Sequence, residues 1–83
     1  MLPGARHWHL TEHQRIICEL LMNGYQNQAI AASSGFSRQS VKVGLYQLYQ
    51  RFEVPLELNQ RIVFALYLHA HRKKFGLICQ ACQ

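Results

Sequence analysis

A stretch of polar and basic side chains that begins at Ser37 is the part of this sequence whose residue types point to chemistry. Hydrogen-bond donors at the start of a predicted helix, together with the positive end of the helix dipole, favour phosphate groups. Side chains one turn further along the same face would lie where base edges are exposed in a DNA major groove. The donors are Ser37, Arg38 and Gln39, and the candidate base-reading residues are Lys42, Val43 and Tyr46.

A catalytic grouping is not visible among the acidic residues. The sequence has four carboxylates, Glu12, Glu19, Glu53 and Glu57. The last two would lie one turn apart only if a helix ran through Pro55, which breaks it. There is also no glycine-rich phosphate loop and no Ser-His-Asp arrangement around a pocket. We therefore expect no enzyme and no cofactor.

The cysteines give one weak metal signal. Cys79 and Cys82 form a single CxxC pair, with His69 and His71 nearby, which is half of a zinc site that a second copy would have to complete. A tail without packed structure and a redox pair are the alternatives, and with no second CxxC we assign no metal site. Cys18 lies among apolar residues and is expected to be a buried, inert thiol. Three cysteines are too few, and odd in number, for a disulfide framework, so a reduced cytoplasmic protein is expected.

The charge balance favours an anionic partner. Nine Lys and Arg against four Asp and Glu give a net charge of +5 in 83 residues, so nucleic acid is the first candidate and a membrane surface the second. The longest apolar run, Ile62–Leu68, is far shorter than the ~20 residues of a spanning helix. The apolar stretch also lacks a wholly basic opposite face, so no membrane partner is expected.

The hydrophobic periodicity predicts an all-α domain of four helices. The first begins at Thr11, with a capping box to Gln14, and ends at Gly24. The second covers Asn27–Ser34, and the third covers about 37–52. The fourth follows Pro55 and runs from about Glu57 to Lys74. In the third helix the expected core positions are Val41, Leu45, Leu48 and Phe52.

A short helix, a tight turn and a longer helix with a polar outer face form the helix-turn-helix pattern. At fixed spacing, the sequence resembles the LuxR/GerE-type DNA-binding domain. The matching positions are Leu10-Thr11, Gly24, Asn27, Ile30-Ala31, Ser37, Val41-Lys42-Val43, Tyr49, Val54 and Arg61. The resemblance implies a four-helix domain of a bacterial transcription regulator that binds DNA as a dimer through the fourth helix.

The resemblance also implies roles for individual residues. Lys42, Val43 and Tyr46 would face bases, and Asn27, Gln28, Ser37, Arg38 and Gln39 would lie near phosphates. Gln47 and Arg51, further along the third helix, are added to the expected phosphate contacts. Some positions depart from the pattern. Gly44 stands where the family usually has His, which would remove a phosphate donor, and Ser34 and Ser40 replace the usual Leu and Thr. Only nine residues precede Leu10, so we expect a stand-alone version without a sensing domain.

The fourth helix is apolar on all sides, although a surface helix needs only one apolar stripe. We expect Ile62, Ala65, Leu66 and His69 to cover the core. The second stripe would then be a homodimer interface of Val63, Phe64, Tyr67 and Ala70. The reverse assignment of the two stripes stays open, as does a cover formed within one chain by Arg72–Lys74 and the N-terminal arm.

The expected organisation is an arm at 1–9, the DNA-binding domain at 10–75 and a tail at 76–83. The expected function is a cytoplasmic, nucleoid-associated transcription regulator that binds double-stranded DNA as a homodimer. The alternative is a small adapter or anti-regulator of the same fold, which binds another transcription regulator and has little DNA affinity of its own.

Overall fold

The computed structural model describes residues 8–80, and within them the chain is all helical, with no strand. The arm predicted for residues 1–9 therefore lies mostly outside the described residues, as does Cys82. The elements are α1 (Glu12–Met22), α2 (Asn27–Ser34), α3 (Arg38–Arg51), α4 (Gln60–Ala70) and α5 (Arg72–Phe75). The all-α prediction is confirmed, although a short fifth helix was not expected.

Local sequence signals define the first three helices as predicted. The Thr11 hydroxyl accepts a hydrogen bond from the Gln14 backbone amide, and the Gln14 side chain accepts one from the Thr11 amide, so the capping box is present. Gly35 follows α2 with a φ of 82°, a left-handed conformation that glycine adopts without strain. The Ser37 hydroxyl caps α3 by accepting from the Ser40 amide.

The predicted fourth helix, Glu57–Lys74, is wrong in its extent and is divided in two. Asn59 is the residue that caps α4, because its side chain accepts from the Ile62 amide. Residues 56–58 before it form a turn and a bend, not a helix. At the other end His71 leaves helical geometry, with a φ of −114°, and α5 follows as a single turn. Periodicity shows where an apolar helix exists, but not where capping side chains end it.

The core lies where α1, α3 and α4 meet. All four residues predicted as the inner face of α3 are buried, and Ile17, Cys18 and Leu21 come from α1 and Phe64 and Leu68 from α4. The Phe52 and Phe64 rings pack with their centroids 5.5 Å apart. These contacts fix α3 from its inner side and leave its outer side in solvent.

Both ends of the described chain pack on this core, so the packed unit is longer than the predicted 10–75. The Trp8 ring lies 4.9 Å from Phe75, edge to face, and 4.8 Å from His71. After α5, Leu77 and Cys79 are both buried. The expectation of a tail without packed structure is therefore wrong for residues 76–80.

Candidate nucleic-acid interface

The outer face of α3 is polar, exposed and without any acidic side chain. Lys42 is exposed, and Val43 and Tyr46 are 41% and 60% exposed. Gln50 donates a hydrogen bond to the Tyr46 hydroxyl at 2.9 Å, which restrains the ring on the surface. The full exposed set is Arg38, Gln39, Lys42, Val43, Tyr46, Gln47 and Gln50. All three predicted base-reading residues therefore lie on one accessible face.

The N-terminal end of α3 has the geometry expected of a phosphate-binding end. Ser37, Arg38 and Gln39 are all exposed there. Because the Ser37 hydroxyl caps the helix by accepting from the Ser40 amide at 3.0 Å, the backbone enters the helix in a fixed direction. The Arg38 guanidinium adds a full charge to the partial positive charge of the helix end.

The inner side of α3 lies unusually close to α1 at Gly44. A Cβ on Gly44 would lie 2.8 Å from the δ-methyl of Ile17 and 3.3 Å from Cε1 of His13. Gly44 is buried and faces α1, so the inference that it represents a lost phosphate donor is wrong: a side chain at this position would enter the α1–α3 contact. The missing side chain instead allows the two helices to approach closely.

His13 also positions α3, although no role was expected for it from the sequence. Its Nε2 lies 3.1 Å from the Ser40 hydroxyl, and its ring packs on Phe36 at a centroid distance of 4.3 Å. These contacts attach the turn and the start of α3 to the start of α1. A surface position was expected for His13, which is instead half-buried; its helical spacing with Ile16 and Ile17 is the signal that could have indicated this.

Arg51 differs from the other predicted phosphate contacts because its guanidinium is occupied within the fold. Nη1 donates to the Gln14 side chain at 2.9 Å, and Nη2 donates to the His9 carbonyl. The side chain therefore joins the end of α3 to the segment that leads into α1. This geometry indicates a structural role, and we leave Arg51 out of the proposed phosphate contacts.

On α2 the two predicted phosphate contacts also differ from each other. Gln28 is exposed, whereas the Asn27 side-chain oxygen accepts a hydrogen bond from Arg61 Nη1 at 2.6 Å. Arg61 also donates to the Tyr25 carbonyl, so it joins α4 to the start of α2. Asn27 therefore has a structural partner, and only its amide nitrogen is left for a phosphate.

The carboxylates of α1 are partly neutralised. Arg15 contacts Glu12 at 3.0 Å and Glu19 at 3.7 Å, and the hydrogen bond and charge of Glu12 raise the pKa of the Arg15 guanidinium. Cys18 on the same helix is buried as predicted, and burial raises the pKa of its thiol to about 12. An un-ionised thiol of this kind is a poor nucleophile.

The apolar surface of α4 differs from the predicted one at its largest side chains. Phe64 is completely buried in the core, so it is not available to a second chain. Val63 and Tyr67 are only partly exposed, and both pack against the core, whereas Ala70 is exposed. The residues predicted to cover the core include Ile62 and Leu66, which are instead 56% and 67% exposed. The exchange of the two stripes that was left open therefore holds for Phe64 against Ile62 and Leu66, whereas Ala65 and His69 stay half-buried and Ala70 stays exposed.

The order and packing of α2 and α3 define a helix-turn-helix domain. Its turn is Gly35–Ser37, and its second helix carries the exposed polar face. In agreement, residues 9–64 match the family described as bacterial regulatory proteins, luxR family. The chain belongs to this family, as the sequence resemblance indicated.

A relative with a transcription-related description is also similar. The chain is 35% identical over 65 residues to SgaR of Hyphomicrobium methylovorum, which is described as a probable transcriptional regulatory protein. The match covers 78% of this chain and 29% of that relative. No solved structure matches at a comparable level of significance. Among residues 8–80, no helix is long and apolar enough to cross a membrane.

Proposed function

We propose that the protein is a transcription regulator that binds duplex DNA with α3 in the major groove and acts as a homodimer. The observation that carries the proposal is the outer face of α3, where Lys42, Val43 and Tyr46 are exposed together on a helix without acidic residues. A major groove admits one α-helix, and Lys at such a position is able to donate to guanine O6 and N7. A DNA target would place the protein in the cytoplasm, at the nucleoid.

The phosphate contacts in this proposal come from residues on both sides of the groove-facing surface. Arg38, Gln39 and Ser37 supply the donors at the start of α3, and Gln28 supplies one from α2. Gln47 is exposed further along α3, and in this proposal it would contact the opposite phosphate backbone. Such contacts fix orientation and strength, whereas the base-facing side chains select the sequence.

The dimer part of the proposal now rests on Ile62, Leu66 and Ala70, which recur every four residues and are exposed on α4. An exposed apolar stripe of this kind on a small domain favours an interface. Two copies related by a two-fold axis would bury it symmetrically and place two recognition helices about one DNA turn, ~34 Å, apart. The linked half-sites would then bind far more tightly than one.

A salt titration of DNA binding tests the first part. We expect the logarithm of affinity to fall with the logarithm of salt concentration with a slope of about −0.9 for each phosphate neutralised. Fluorescence anisotropy with duplexes of random and genomic sequence gives this slope. An affinity that is unchanged after a fourfold rise in salt would refute the proposal and favour the adapter alternative.

Two variants separate base reading from phosphate binding. Lys42→Ala should flatten the profile obtained from a binding-site selection, because a good base contact discriminates by ~1–3 kcal/mol. Arg38→Ala should weaken all sequences alike. Lys73→Ala removes the same charge from the exposed surface of α5 and is the matched control, which should leave the preferred sequence unchanged. An unchanged preference in Lys42→Ala would contradict the base-reading role.

Sedimentation equilibrium tests the dimer. We expect Leu66→Glu to give a folded monomer with weaker DNA binding, because it places a charge in the centre of the proposed interface. Leu56→Glu is the matched control for the oligomeric state, since Leu56 is 84% exposed but lies in the connection before α4. A wild-type monomer at tens of micromolar, or a Leu66→Glu dimer of unchanged mass, would refute this part.

One observation favours the adapter alternative. Leu56 and Leu58 are both largely exposed, and Leu56 borders a groove of about 380 Å³ that Tyr46 and Gln50 of α3 also line. A partner protein seated there would cover the C-terminal half of α3. The two functions are distinguished by the salt titration, because an adapter of this kind would show little DNA affinity at any salt concentration.

A further inference from the structure

We infer that Gln50 is a specificity-determining residue, which together with Tyr46 forms a donor–acceptor pair that recognises adenine in the DNA major groove. The inference rests on the proposed DNA-binding function and extends it to one base position. Gln50 Nε2 donates a hydrogen bond to the Tyr46 hydroxyl at 2.9 Å. The two side chains are therefore held together and would meet a base as one unit.

The direction of this hydrogen bond decides what Tyr46 offers to a base. A tyrosine hydroxyl is able both to donate and to accept. Because its oxygen accepts from Gln50, the hydroxyl proton is directed away from the amide. Among residues 8–80, no protein group accepts this proton. The side chain of Tyr46 is 60% exposed, so it presents a hydrogen-bond donor at the surface.

Gln50 supplies the matching acceptor. Its side-chain nitrogen is used by the Tyr46 hydroxyl, and its side-chain oxygen, Oε1, is bonded to the same amide carbon. Within the part of the chain that the structure describes, no group donates to this oxygen. Gln50 is exposed, so Oε1 is accessible to a partner. The pair therefore presents one donor and one acceptor close together.

The pair lies on the face of α3 that is proposed to enter the groove. Lys42, Tyr46 and Gln50 recur every four residues and are all exposed, so they follow one line along the outer side of the helix. Four residues advance about 6 Å along a helix axis. The pair would therefore meet a different base from the one that Lys42 meets, and it would add a second specific position to each half-site.

Adenine is the base whose major-groove edge complements the pair. It presents the N7 acceptor beside the N6 amino donor, whereas guanine presents two acceptors, thymine an acceptor and a methyl group, and cytosine a donor. The Tyr46 hydroxyl would donate to N7, and Gln50 Oε1 would accept from N6. Cytosine would instead oppose the Tyr46 donor with its own N4 donor, which would leave a donor unpaired and disfavour this base.

A binding-site selection with the full chain, read by sequencing, tests the inference. We expect the wild type to favour adenine over cytosine by roughly 10-fold or more at one position of each half-site. Tyr46→Phe and Gln50→Met should each lose this preference at that position alone. Gln50→Glu should move the preference toward cytosine, because the carboxylate would accept the Tyr46 proton and leave the pair with acceptors only.

Gln47 provides the matched controls, because it is the same residue type, is exposed on α3 and forms no hydrogen bond with Tyr46 in the described chain. Gln47→Glu adds the same charge as Gln50→Glu, and it should weaken binding to all sequences while keeping the adenine preference. On a duplex with adenine at the selected position, Tyr46→Phe and Gln50→Met should be non-additive, with the double variant about as weak as either single variant. Tyr46→Phe and Gln47→Met should be additive.

Failure of this inference is distinguishable from failure of the proposed function. Salt-dependent DNA binding with no adenine preference, or with a preference that Tyr46→Phe and Gln50→Met leave unchanged, would overturn the inference alone. Additive losses from these two changes would also overturn it. Absence of salt-dependent DNA binding would overturn the proposed function and the inference together. Circular dichroism of each variant shows that it is folded, which the exposed positions of both side chains lead us to expect.

Discussion

Because α1 and α3 approach closely at Gly44, a single methyl group of Ile17 decides whether Gly44→Ala raises or lowers the free energy of unfolding. In an open helix, Gly→Ala stabilises by about 1 kcal/mol through helix propensity. Here the new Cβ would lie 2.8 Å from the δ-methyl of Ile17, well inside the usual carbon–carbon separation of about 3.5–4.0 Å. Ile17 is completely buried, so its side chain cannot move into solvent. Overpacking of this kind costs about 1–3 kcal/mol.

The expected result for Gly44→Ala is therefore a net loss of about 1 kcal/mol in the free energy of unfolding. Ile17→Val removes the δ-methyl and by itself costs about 0.5–1.5 kcal/mol. In that background Gly44→Ala should become neutral or stabilising, because the overlapping atom is absent and the propensity gain remains. The predicted coupling between the two changes is about 1–2 kcal/mol, well above the ~0.3–0.5 kcal/mol by which independent sites deviate from additivity.

Urea unfolding of the four proteins, followed by circular dichroism, measures this cycle. Ile16→Val is the matched control, because Ile16 is the preceding residue of α1 and none of its atoms is among those closest to a Cβ at position 44. Its cycle with Gly44→Ala should be additive. Additivity in the Ile17 cycle, or stabilisation of the wild type by Gly44→Ala, would refute the argument that Gly44 is required for the α1–α3 contact.

Further predictions concern stability. The pKa of the Cys18 thiol is raised from 9.0 to about 12. The un-ionised thiol therefore contributes fully to the free energy of unfolding below pH 9, and this contribution is lost as the pH rises toward 12, at about 1.4 kcal/mol per pH unit. Urea unfolding should therefore show a shallower alkaline decline in Cys18→Ala, and an equal decline would contradict this. Arg61→Met should cost about 1.5–3 kcal/mol in the same assay, because Arg61 donates to two oxygens of the segment that leads into α2. A loss within the ±0.5 kcal/mol typical of surface changes would mean that these hydrogen bonds contribute little. Thr11→Ala should lower the unfolding free energy by about 1 kcal/mol through loss of the cap, and Thr11→Ser should retain most of it.

The helix starts and the turn could be predicted from the sequence because their causes are local. Thr11, Ser37 and Gly35 each act on backbone groups within a few residues, and their conformations are those expected from residue type alone. The core-facing side of α3 could also be predicted from the sequence, since its apolar positions repeat along one side of a helix whose other side is polar. Once the apolar side of α3 is known, the candidate base-facing residues follow, because they lie on the opposite side of the helix.

The structural roles of Arg51 and Asn27 could not be predicted in the same way. Each partner is distant in sequence: Arg51 bonds to Gln14 and the His9 carbonyl, and Asn27 accepts from Arg61. The sequence alone does not show whether a basic or amide side chain forms hydrogen bonds within the fold or remains available to a partner such as DNA. Only the packing of α1 against α3, and of α4 against the start of α2, decides between the two uses.

The reversed faces of α4 show how the remaining ambiguity is resolved physically. Both stripes of Gln60–Ala70 are apolar, so hydrophobicity alone does not choose which of them faces the core. The aromatic rings decide which stripe faces the core. The centroid of the Phe64 ring lies 5.5 Å from that of Phe52 and 5.7 Å from that of Tyr49. Burying an aromatic pair is more favourable than burying the aliphatic side chain of Leu66 would be. Ile62 and Leu66 are then left outside, with no cover among residues 8–80 that reduces their exposure below half. The same packing that buries the rings thus creates the apolar stripe on which the proposed dimer depends, and this links the stability of the core to the spacing of the two recognition helices on DNA.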